Sequence, residues 1–409
     1  MADEIKPAID FNPFFVYVGA FILPILLYQL DWSYLYPTLS WQLLMFLLAT
    51  FLISIAIGLY IHKRRVIVYT KNIKLLHFRW ILVLITIGNI MDFVYQRQVP
   101  LFSILNKITY DNYGFFGIPT FGVLLSTFGG FMSVYLFNCF LVTRRKKYLF
   151  GCLYLFIFPL LIFSRGAILL ALSSMLFLYL FSIRKNKLKV YFRMLIVILI
   201  ALLGFGYLGN IRSSNQYDKE GKINDIILTL GQAKPSFVNS SVPTAFFWSY
   251  IYISSPLANL QFNINSAKPV YDEHHALGYL NYELMFDAVS KRTGDLFDIP
   301  LPQNYQVAPY LTVSTIYSKS YSQLGWFGMG FTFVALMALC LIYLLILRPA
   351  NPFFATGIAI LNTLVLFCLF DNMISFTGLS FQLVYPLLFS IKWKTSRHQA
   401  PLLTQELTN

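Results

Sequence analysis

Charged residues and cysteines are both scarce in this chain of 409 residues, and each scarcity excludes some classes of protein. Charged residues make up 12% of the chain and hydrophobic residues 57%, so a soluble domain could not cover its apolar surface and lipid must solvate most of it. All cysteines lie in apolar runs, where they act as small buried hydrophobes: Cys139, Cys152, Cys340 and Cys368. With no CxxC or Cys/His spacing, the sequence predicts neither a disulfide framework nor a zinc site.

Several motifs of soluble enzymes are also absent. The chain contains no GxGxxG, P-loop, DxD or HExxH pattern, which argues against a nucleotide-sugar enzyme on the cytoplasmic side. Residues 1–12 carry Asp3, Glu4 and Asp10 without a basic stretch, so we expect no cleavable signal peptide and interpret the first apolar run as a retained span. No internal repeat supports an inverted-repeat transporter.

Long apolar runs are abundant, and they predict an all-α polytopic membrane protein with about ten transmembrane helices. The runs fall at 13–30, 41–61, 80–96, 119–142, 148–164, 166–183, 190–209, 324–347, 352–370 and 375–391. Lysine and arginine concentrate in every second link between them: 20 of the 31 fall on one side and 11 on the other. The positive-inside rule therefore predicts cytoplasmic N- and C-termini. This topology accounts for most of the net charge of +14, so we infer no nucleic-acid partner.

One long polar segment separates the seventh predicted span from the eighth. The predicted organisation is 1–209 for the first seven transmembrane helices, 210–322 for a large external loop with short helices, 323–393 for the last three helices, and 394–409 for a cytoplasmic tail. A loop of this length is usually functional. Within it, 242–253 is apolar and aromatic but too short to cross the bilayer. We expect it to be an interfacial helix whose Trp248, Tyr250 and Tyr252 lie among headgroups.

Arginines on the external side are candidate anion ligands. Arg165 lies in a hairpin between two spans, where Ser164 could cap the next helix and Gly166 allows close backbone approach. Backbone N–H groups, the helix dipole and a guanidinium together suit a phosphate. Arg212 follows the seventh span at a similar depth, so the two arginines could converge on a pyrophosphate. The alternative is that each contacts lipid headgroups, and Arg97 and Arg292 are further candidates for either role.

A histidine pair in the loop is the candidate for proton transfer. His274 and His275 follow Asp272 and Glu273, and a carboxylate beside a histidine can orient its ring to accept a proton from a sugar hydroxyl. The alternative to a catalytic role is that this segment is a solvated turn with ordinary polar residues. Metal binding by the pair needs a more distant ligand, because adjacent histidines diverge in helix and strand alike. We predict no metal and no cofactor.

Two further carboxylates, Asp92 and Asp371, lie near the external ends of their predicted spans. Carboxylates inside a membrane are functional candidates by default. Structural pairing of Asp92 with an arginine at the membrane edge and proton coupling in a transporter both remain open.

Three stretches together resemble the Wzy-type O-antigen polymerases, over roughly 150–345. They are Ser164-Arg165-Gly166 at the start of a span, Gly209-x-x-Arg212 after the next one, and 312–328 leading from the large loop into a span. The family often shows Asp-Phe-Gly in the third stretch, whereas this chain has Gln323-Leu324-Gly325, so a role for that carboxylate is absent or relocated. His274 also resembles the His-Asn-x-x-Leu stretch of the related O-antigen ligases, but His275 replaces the Asn and Gly278 the Leu.

The resemblance implies a GT-C-like helical bundle in the bacterial inner membrane. It implies a metal-independent glycosyltransferase that moves a growing glycan from undecaprenyl pyrophosphate onto a new lipid-linked unit. The implied partners are the lipid-linked oligosaccharide donor and acceptor and a polysaccharide chain-length regulator. In that chemistry Arg165 and Arg212 would bind the pyrophosphate, and His274 or His275, or else Asp272 or Glu273, would deprotonate the acceptor.

The competing interpretations are a flippase or other transporter of lipid-linked oligosaccharide, an O-antigen ligase, an acyltransferase and a structural membrane protein. A transporter predicts charged residues lining the middle of the membrane and no large external loop, and this sequence shows the reverse. The incomplete histidine motif counts against a ligase.

Overall fold

The computed structural model describes residues 10–74, 77–105, 116–183, 186–217 and 226–390. Within these ranges the regular elements are helices, and an isolated β-bridge pairs Ser33 with Ala233. The side chains of residues 104, 105, 205, 208 and 210–217 lie outside the description.

The first part of the chain forms five helices, and side-chain caps account for the starts of the first two. They are α1 (Pro13–Tyr28), α2 (Trp41–Lys63), α3 (Phe78–Gln96), α4 (Pro100–Leu105) and α5 (Phe121–Thr143). Asn12 caps α1 by accepting hydrogen bonds from the N–H groups of Phe14 and Phe15, both at 3.1 Å, and Pro13 occupies the first turn, where no N–H is needed. Ser40 caps α2 in the same way.

The next four helices show why one predicted span is interrupted. They are α6 (Lys146–Leu155), α7 (Ile157–Leu161), α8 (Arg165–Ser182) and α9 (Lys187–Tyr217). The sequence predicts one span over 148–164, but the helix breaks between α6 and α7. Pro159 has no N–H for the carbonyl of Leu155, four residues earlier, so a continuous helix loses a hydrogen bond at that point.

The large loop and the C-terminal region contribute the remaining elements. The loop holds α10 (Ile226–Leu230), α11 (Pro235–Val238), α12 (Ala245–Ser266), α13 (Glu273–Tyr279), a π-turn (Leu280–Leu284) and α14 (Asp287–Leu296). After the loop come α15 (Ser318–Ile346), α16 (Phe354–Phe367), α17 (Thr377–Ser380), a 3-10 turn (Phe381–Leu383) and α18 (Val384–Leu388). Within the predicted last span, 375–391, the described residues to 390 thus form a series of short helical pieces.

Among the residues that the structure describes, five helices are long and apolar enough to cross a membrane: α2, α3, α5, α8 and α15. Two shorter apolar helices, α1 and α16, accompany them. The all-helical membrane class is therefore supported, while the predicted count of ten spans is not confirmed in the described residues. Large apolar side chains such as Leu52 and Leu59 of α2 remain exposed, as expected for a surface that faces lipid.

The core of the protein surrounds α16. This helix packs against α1, α5 and α8, and nearly all its side chains are buried, from Phe354 to Val365. Buried polar groups join it to its neighbours: Thr363 accepts a hydrogen bond from Ser174 of α8, and Asn362 donates to the carbonyl of Phe11. A helix buried on all sides has no need of an amphipathic pattern, which explains why its sequence has no polar face.

The prediction of a short interfacial helix over 242–253 is wrong in length and in environment. Helix α12 has 22 residues and packs against α1, α9 and α15. Trp248 and Tyr250 are buried at 5% and 2% exposure, so their rings pack within the protein and not among headgroups. The second half of the helix carries polar residues that ended the apolar run in sequence. They are buried because they bond to other segments of the loop.

Helix α15 contains a sharp kink that folds its first turns back on the rest. Leu324 and Gly325 have non-helical backbone angles, and Gly325 has φ +55°. Ser320 Oγ lies 2.7 Å from Thr332 Oγ1, although twelve positions along a continuous helix span about 18 Å. The predicted start of the eighth span at 324 therefore coincides with this kink, and 318–323 form a separate turn that packs on the span.

Candidate functional site

Asp272 and His275 form a hydrogen-bonded pair at the start of α13. Asp272 caps the helix by accepting from the backbone N–H of His275 at 2.8 Å, and the same oxygen lies 2.7 Å from the His275 ring nitrogen Nδ1. The backbone and side-chain hydrogen bonds from His275 lower the pKa of Asp272 below its ordinary value. With Nδ1 protonated toward Asp272, the ring nitrogen Nε2 remains available to accept a proton.

The other two residues of the predicted catalytic segment are oriented differently. His274 is exposed, and its ring is nearly perpendicular to that of His275, with centroids 6.4 Å apart. Glu273 is exposed in the first turn of α13, where a negative charge complements the helix dipole. In the part of the chain that the structure describes, no group of three His, Cys, Asp or Glu residues is arranged to hold a metal ion.

An elongated cavity of about 310 Å³ lies between α3, α5, α7 and α8. Along α5 it is lined by Gly122, Ser126, Gly129 and Ser133, which spreads it over about 16 Å of helix. Its walls are mostly apolar, with Asp92 and Ser164 among the few polar residues. A Cβ atom added at Gly129 would meet nothing within 4 Å, so this glycine leaves the middle of the cavity open. The shape suits a linear apolar chain.

Arg165 begins α8 beside this cavity. Ser164, the residue before it, lines the cavity, and the exposed Arg165 guanidinium lies 5.1 Å from the centre of the Phe163 ring. The prediction that Ser164 caps α8 is wrong: its side chain makes no capping hydrogen bond. Phe163 has φ +59°, and this left-handed residue forms the tight turn between α7 and α8 in place of a cap.

The two further candidate arginines, Arg292 and Arg97, lie near chain positions that line this cavity. Arg292 of α14 donates from Nη2 to Thr120 Oγ1 at 2.8 Å, and Thr120 precedes the lining residue Gly122 by two positions. Arg97 ends α3 in a left-handed conformation, five positions after the lining residue Asp92, and is exposed in an open groove beside α4. Each of the three arginines is thus linked to the cavity through a nearby residue: Arg165 follows Ser164, Arg97 comes five positions after Asp92, and Arg292 contacts Thr120.

The predicted convergence of Arg165 and Arg212 stays a prediction. Arg212 lies in the last turns of α9, but its side chain is outside the described part of the structure. The two helices have different principal neighbours: α8 packs on α5, α7 and α16, whereas α9 packs on α10 and α12.

Asp92 and Asp371 have clear structural partners. Asp92 is buried and accepts from the N–H of Ile118 at 2.9 Å. Among the described residues no arginine pairs with Asp92, so the proposed ion pair is not seen there. Asp371 is half-exposed and pairs with Lys319 at 3.1 Å.

The residue that sequence reasoning missed is Glu283, in the π-turn after α13. Its side chain is fully buried and accepts from Ser320 Oγ at 3.2 Å and from Asn372 Nδ2 at 2.9 Å. Burial raises the pKa of Glu283 from 4.5 to about 7. The signal in the sequence was weak: Glu283 is the one charged residue in 276–286, and a lone carboxylate in a neutral stretch of a loop is commonplace.

Comparisons with protein-family models, with curated proteins and with solved structures find no match for this chain.

Proposed function

We propose that this chain is a glycosyltransferase of the bacterial inner membrane that lengthens a polysaccharide carried on undecaprenyl pyrophosphate. The observation that supports this most is the elongated apolar cavity along α5, with Arg165 at the start of α8 directly after the lining residue Ser164. An apolar slot with cations at its mouth matches a substrate that joins an isoprenoid chain to a diphosphate. Both termini face the cytoplasm, and the large loop lies on the outer side.

The lipid portion next to the diphosphate would lie along α5, and Arg165 would bind the diphosphate. Arg165 is exposed at the first turn of α8, where backbone N–H groups also point toward an anion. Arg292 would contribute positive charge from α14 and Arg97 from the end of α3, and Arg212 would complete the clamp from α9. Fixed cations can stabilise the charge that develops on a leaving diphosphate without a metal ion.

The Asp272–His275 pair would supply the base. The acceptor hydroxyl oxygen forms a bond to the anomeric carbon of the donor as the bond from that carbon to the pyrophosphate oxygen breaks. The hydroxyl proton passes to Nε2 of His275, and undecaprenyl pyrophosphate leaves with the bonding electron pair. Asp272 stabilises the resulting imidazolium through the contact of 2.7 Å at Nδ1.

Purified protein in liposomes, supplied with a lipid-linked repeat unit, tests the activity directly. We expect a ladder of longer glycans and release of undecaprenyl pyrophosphate. Movement of the lipid-linked unit across the bilayer without elongation would instead identify a transporter and overturn the proposal.

A cavity-filling variant tests the lipid site. Gly129→Leu places a side chain in the open middle of the cavity, and we expect elongation to fall at least about tenfold, equivalent to about 1.4 kcal/mol. Gly330→Leu is the matched control, because Gly330 is also helical, has open space at its Cβ position and does not line the cavity. Equal activity of the two variants would exclude this cavity as the substrate site.

Substitutions of Arg165 test whether the diphosphate site needs only a positive charge or also the planar guanidinium group. Arg165→Ala should lower the elongation rate about 10²–10³-fold, since one fixed donor to the leaving group is lost. Arg165→Lys should restore only part of the rate, because an ammonium lacks the bidentate fork. An unchanged ladder in the Arg165→Ala/Arg212→Ala double variant would end the clamp hypothesis.

A further inference from the structure

Glu283 joins three segments that are distant in sequence. Its carboxylate contacts Ser320 in the folded-back turn of α15 and Asn372 in the link after α16. Asn372 also donates to the backbone carbonyl of Glu283 at 2.8 Å, so the π-turn is held through main chain and side chain together. Short π-helical turns are rare and frequently mark functional positions.

A chain of hydroxyl groups extends this cluster to α13. Ser320 Oγ contacts Thr332 Oγ1 at 2.7 Å, and Thr332 Oγ1 lies 3.0 Å from the Tyr279 hydroxyl. Tyr279 is the last residue of α13 and is buried. Tyr279 and Glu283 therefore bind the two halves of α15 on either side of its kink, and α13 is the helix that carries the Asp272–His275 pair.

The second carboxylate oxygen of Glu283 has no hydrogen-bond partner in the part of the chain that the structure describes. Oε1 is buried and unpaired, while Oε2 accepts both hydrogen bonds. An unpaired oxygen that carries negative charge in a buried site costs much more free energy than an unpaired neutral group. The packing around Oε1 therefore favours the protonated carboxylic acid.

The charges around Glu283 act in opposite directions. Lys319 of α15 favours the ionised form of Glu283, but Lys319 is paired at 3.1 Å with Asp371, which has the opposite effect. Asp287, at the start of α14, is bonded to the N–H of Thr377 at 3.0 Å and adds a further negative charge beside Lys319. The remaining titratable group is Tyr279, and burial raises its pKa to about 12, so it stays neutral.

We propose that Glu283, as a neutral carboxylic acid, is a positioning residue that holds α13 and its Asp272–His275 pair against the kink of α15, and that its ionisation releases this part of the loop. The position of His275 matters for catalysis only if the proposed function is correct. The conformational coupling itself stands on the contacts of Glu283 alone.

The direction of the pH dependence follows from burial. Burial, opposed mainly by Lys319, raises the pKa of Glu283 from 4.5 to about 7. We call the conformation with α13 held against α15 closed and the released conformation open. A group whose pKa is higher in the closed conformation stabilises that conformation fully at pH values below its pKa in the open conformation. The contribution of Glu283 is therefore complete below about pH 4.5 and is lost as the pH rises through about 7.

Hydrogen–deuterium exchange of the purified full-length protein tests this proposal. After correction for intrinsic exchange chemistry, residues 276–286 and 316–324 should exchange about tenfold faster or more at pH 8 than at pH 5. Glu283→Gln, which stays neutral at both pH values, should lose most of this difference. Glu273→Gln is the matched control and should keep it, because Glu273 is an exposed carboxylate on the adjacent helix.

The outcomes are distinct from those for the enzymatic proposal. A wild-type protein with equal corrected exchange at both pH values would overturn the coupling, even if Glu283→Gln failed to fold. Retention of the full pH difference in Glu283→Gln would also overturn it. If the exchange results hold while the protein fails to elongate a glycan, only the proposed function is refuted. If both hold, the pH profile of elongation should shift in Glu283→Gln and not merely fall in amplitude.

Discussion

At the scale of single residues, the contact between Gly117 and Asp92 shows how a buried carboxylate can have a structural role. Asp92 accepts from the N–H of Ile118, and Gly117 lies against the same carboxylate with φ +107°. Only glycine adopts this backbone conformation readily. A Cβ atom at residue 117 would lie 2.8 Å from the Asp92 carboxylate. This contact fixes the chain at the entry to α5, beside the cavity.

Gly117→Ala should therefore destabilise the protein by about 1–3 kcal/mol, through the positive φ and the contact with Asp92. Thermal unfolding in detergent should show a lower midpoint. Gly129→Ala is the control, because Gly129 is helical with open space at its Cβ position, and its midpoint should stay the same or rise. A midpoint for Gly117→Ala equal to that of the wild type would contradict this account of the turn.

At the scale of elements, α12 organises the large loop through buried amides. Asn259 is fully buried, donates to the carbonyls of Leu311 and Val313, both at 2.7 Å, and accepts from the N–H of Val307 at 2.8 Å. Asn263 bonds the backbone of Tyr305 in the same way. These side chains satisfy the polar backbone of an extended segment that has no sheet to pair with. The segment 305–313 can therefore keep a fixed conformation although it contains no regular secondary structure.

Asn259→Ala should lower the free energy of unfolding by about 2 kcal/mol or more, because each buried backbone group left unpaired costs about 1–3 kcal/mol. Limited proteolysis should then cut within 303–313 faster than in the wild type. Asn265→Ala is the matched control: Asn265 is exposed on the same helix, so water can replace its hydrogen bond. Equal cleavage rates for the two variants would show that Asn259 does not anchor the segment.

At the scale of the whole molecule, the distribution of lysine and arginine predicts which side of the membrane each link occupies. The native cysteines are all buried: Cys139, Cys152, Cys340 and Cys368. Cysteines introduced at the surface therefore dominate the reaction with a water-soluble thiol reagent. Two exposed positions test the predicted topology. Arg145 lies in the link between α5 and α6, and Asp295 lies on α14 in the large loop.

A membrane-impermeant maleimide should label Asp295→Cys in intact cells with the outer membrane permeabilised. Arg145→Cys should react only after the inner membrane is also opened. The reason is that the basic links stay in the cytoplasm during insertion. The reverse pattern would invert the protein and move the Asp272–His275 pair to the cytoplasmic side. Labelling of both positions from outside would instead require an even number of crossings between them, not the predicted three.

The sequence was informative where a single local rule decides the structure. The helical membrane class followed from apolar run length, and the boundary at 324 followed from the change in composition where α15 kinks. It also placed Asp272 beside His275, because four consecutive residues cannot be far apart. The interruption between α6 and α7 could have been inferred from Pro159, although the apolar run continues across it.

Tertiary structure alone decided the rest, because burial depends on partners that are remote in sequence. In the sequence the polar residues Asn259 and Asn263 lie beyond the end of an apolar run. Their hydrogen bonds to 305–313 allow α12 to be a buried helix of 22 residues. In the sequence Glu283 is an ordinary loop carboxylate. Its burial depends on the folded-back turn of α15 and on its hydrogen bond from Asn372. The cavity along α5 likewise has no sequence signature, since it is the space left where four helices fail to fill each other's surfaces.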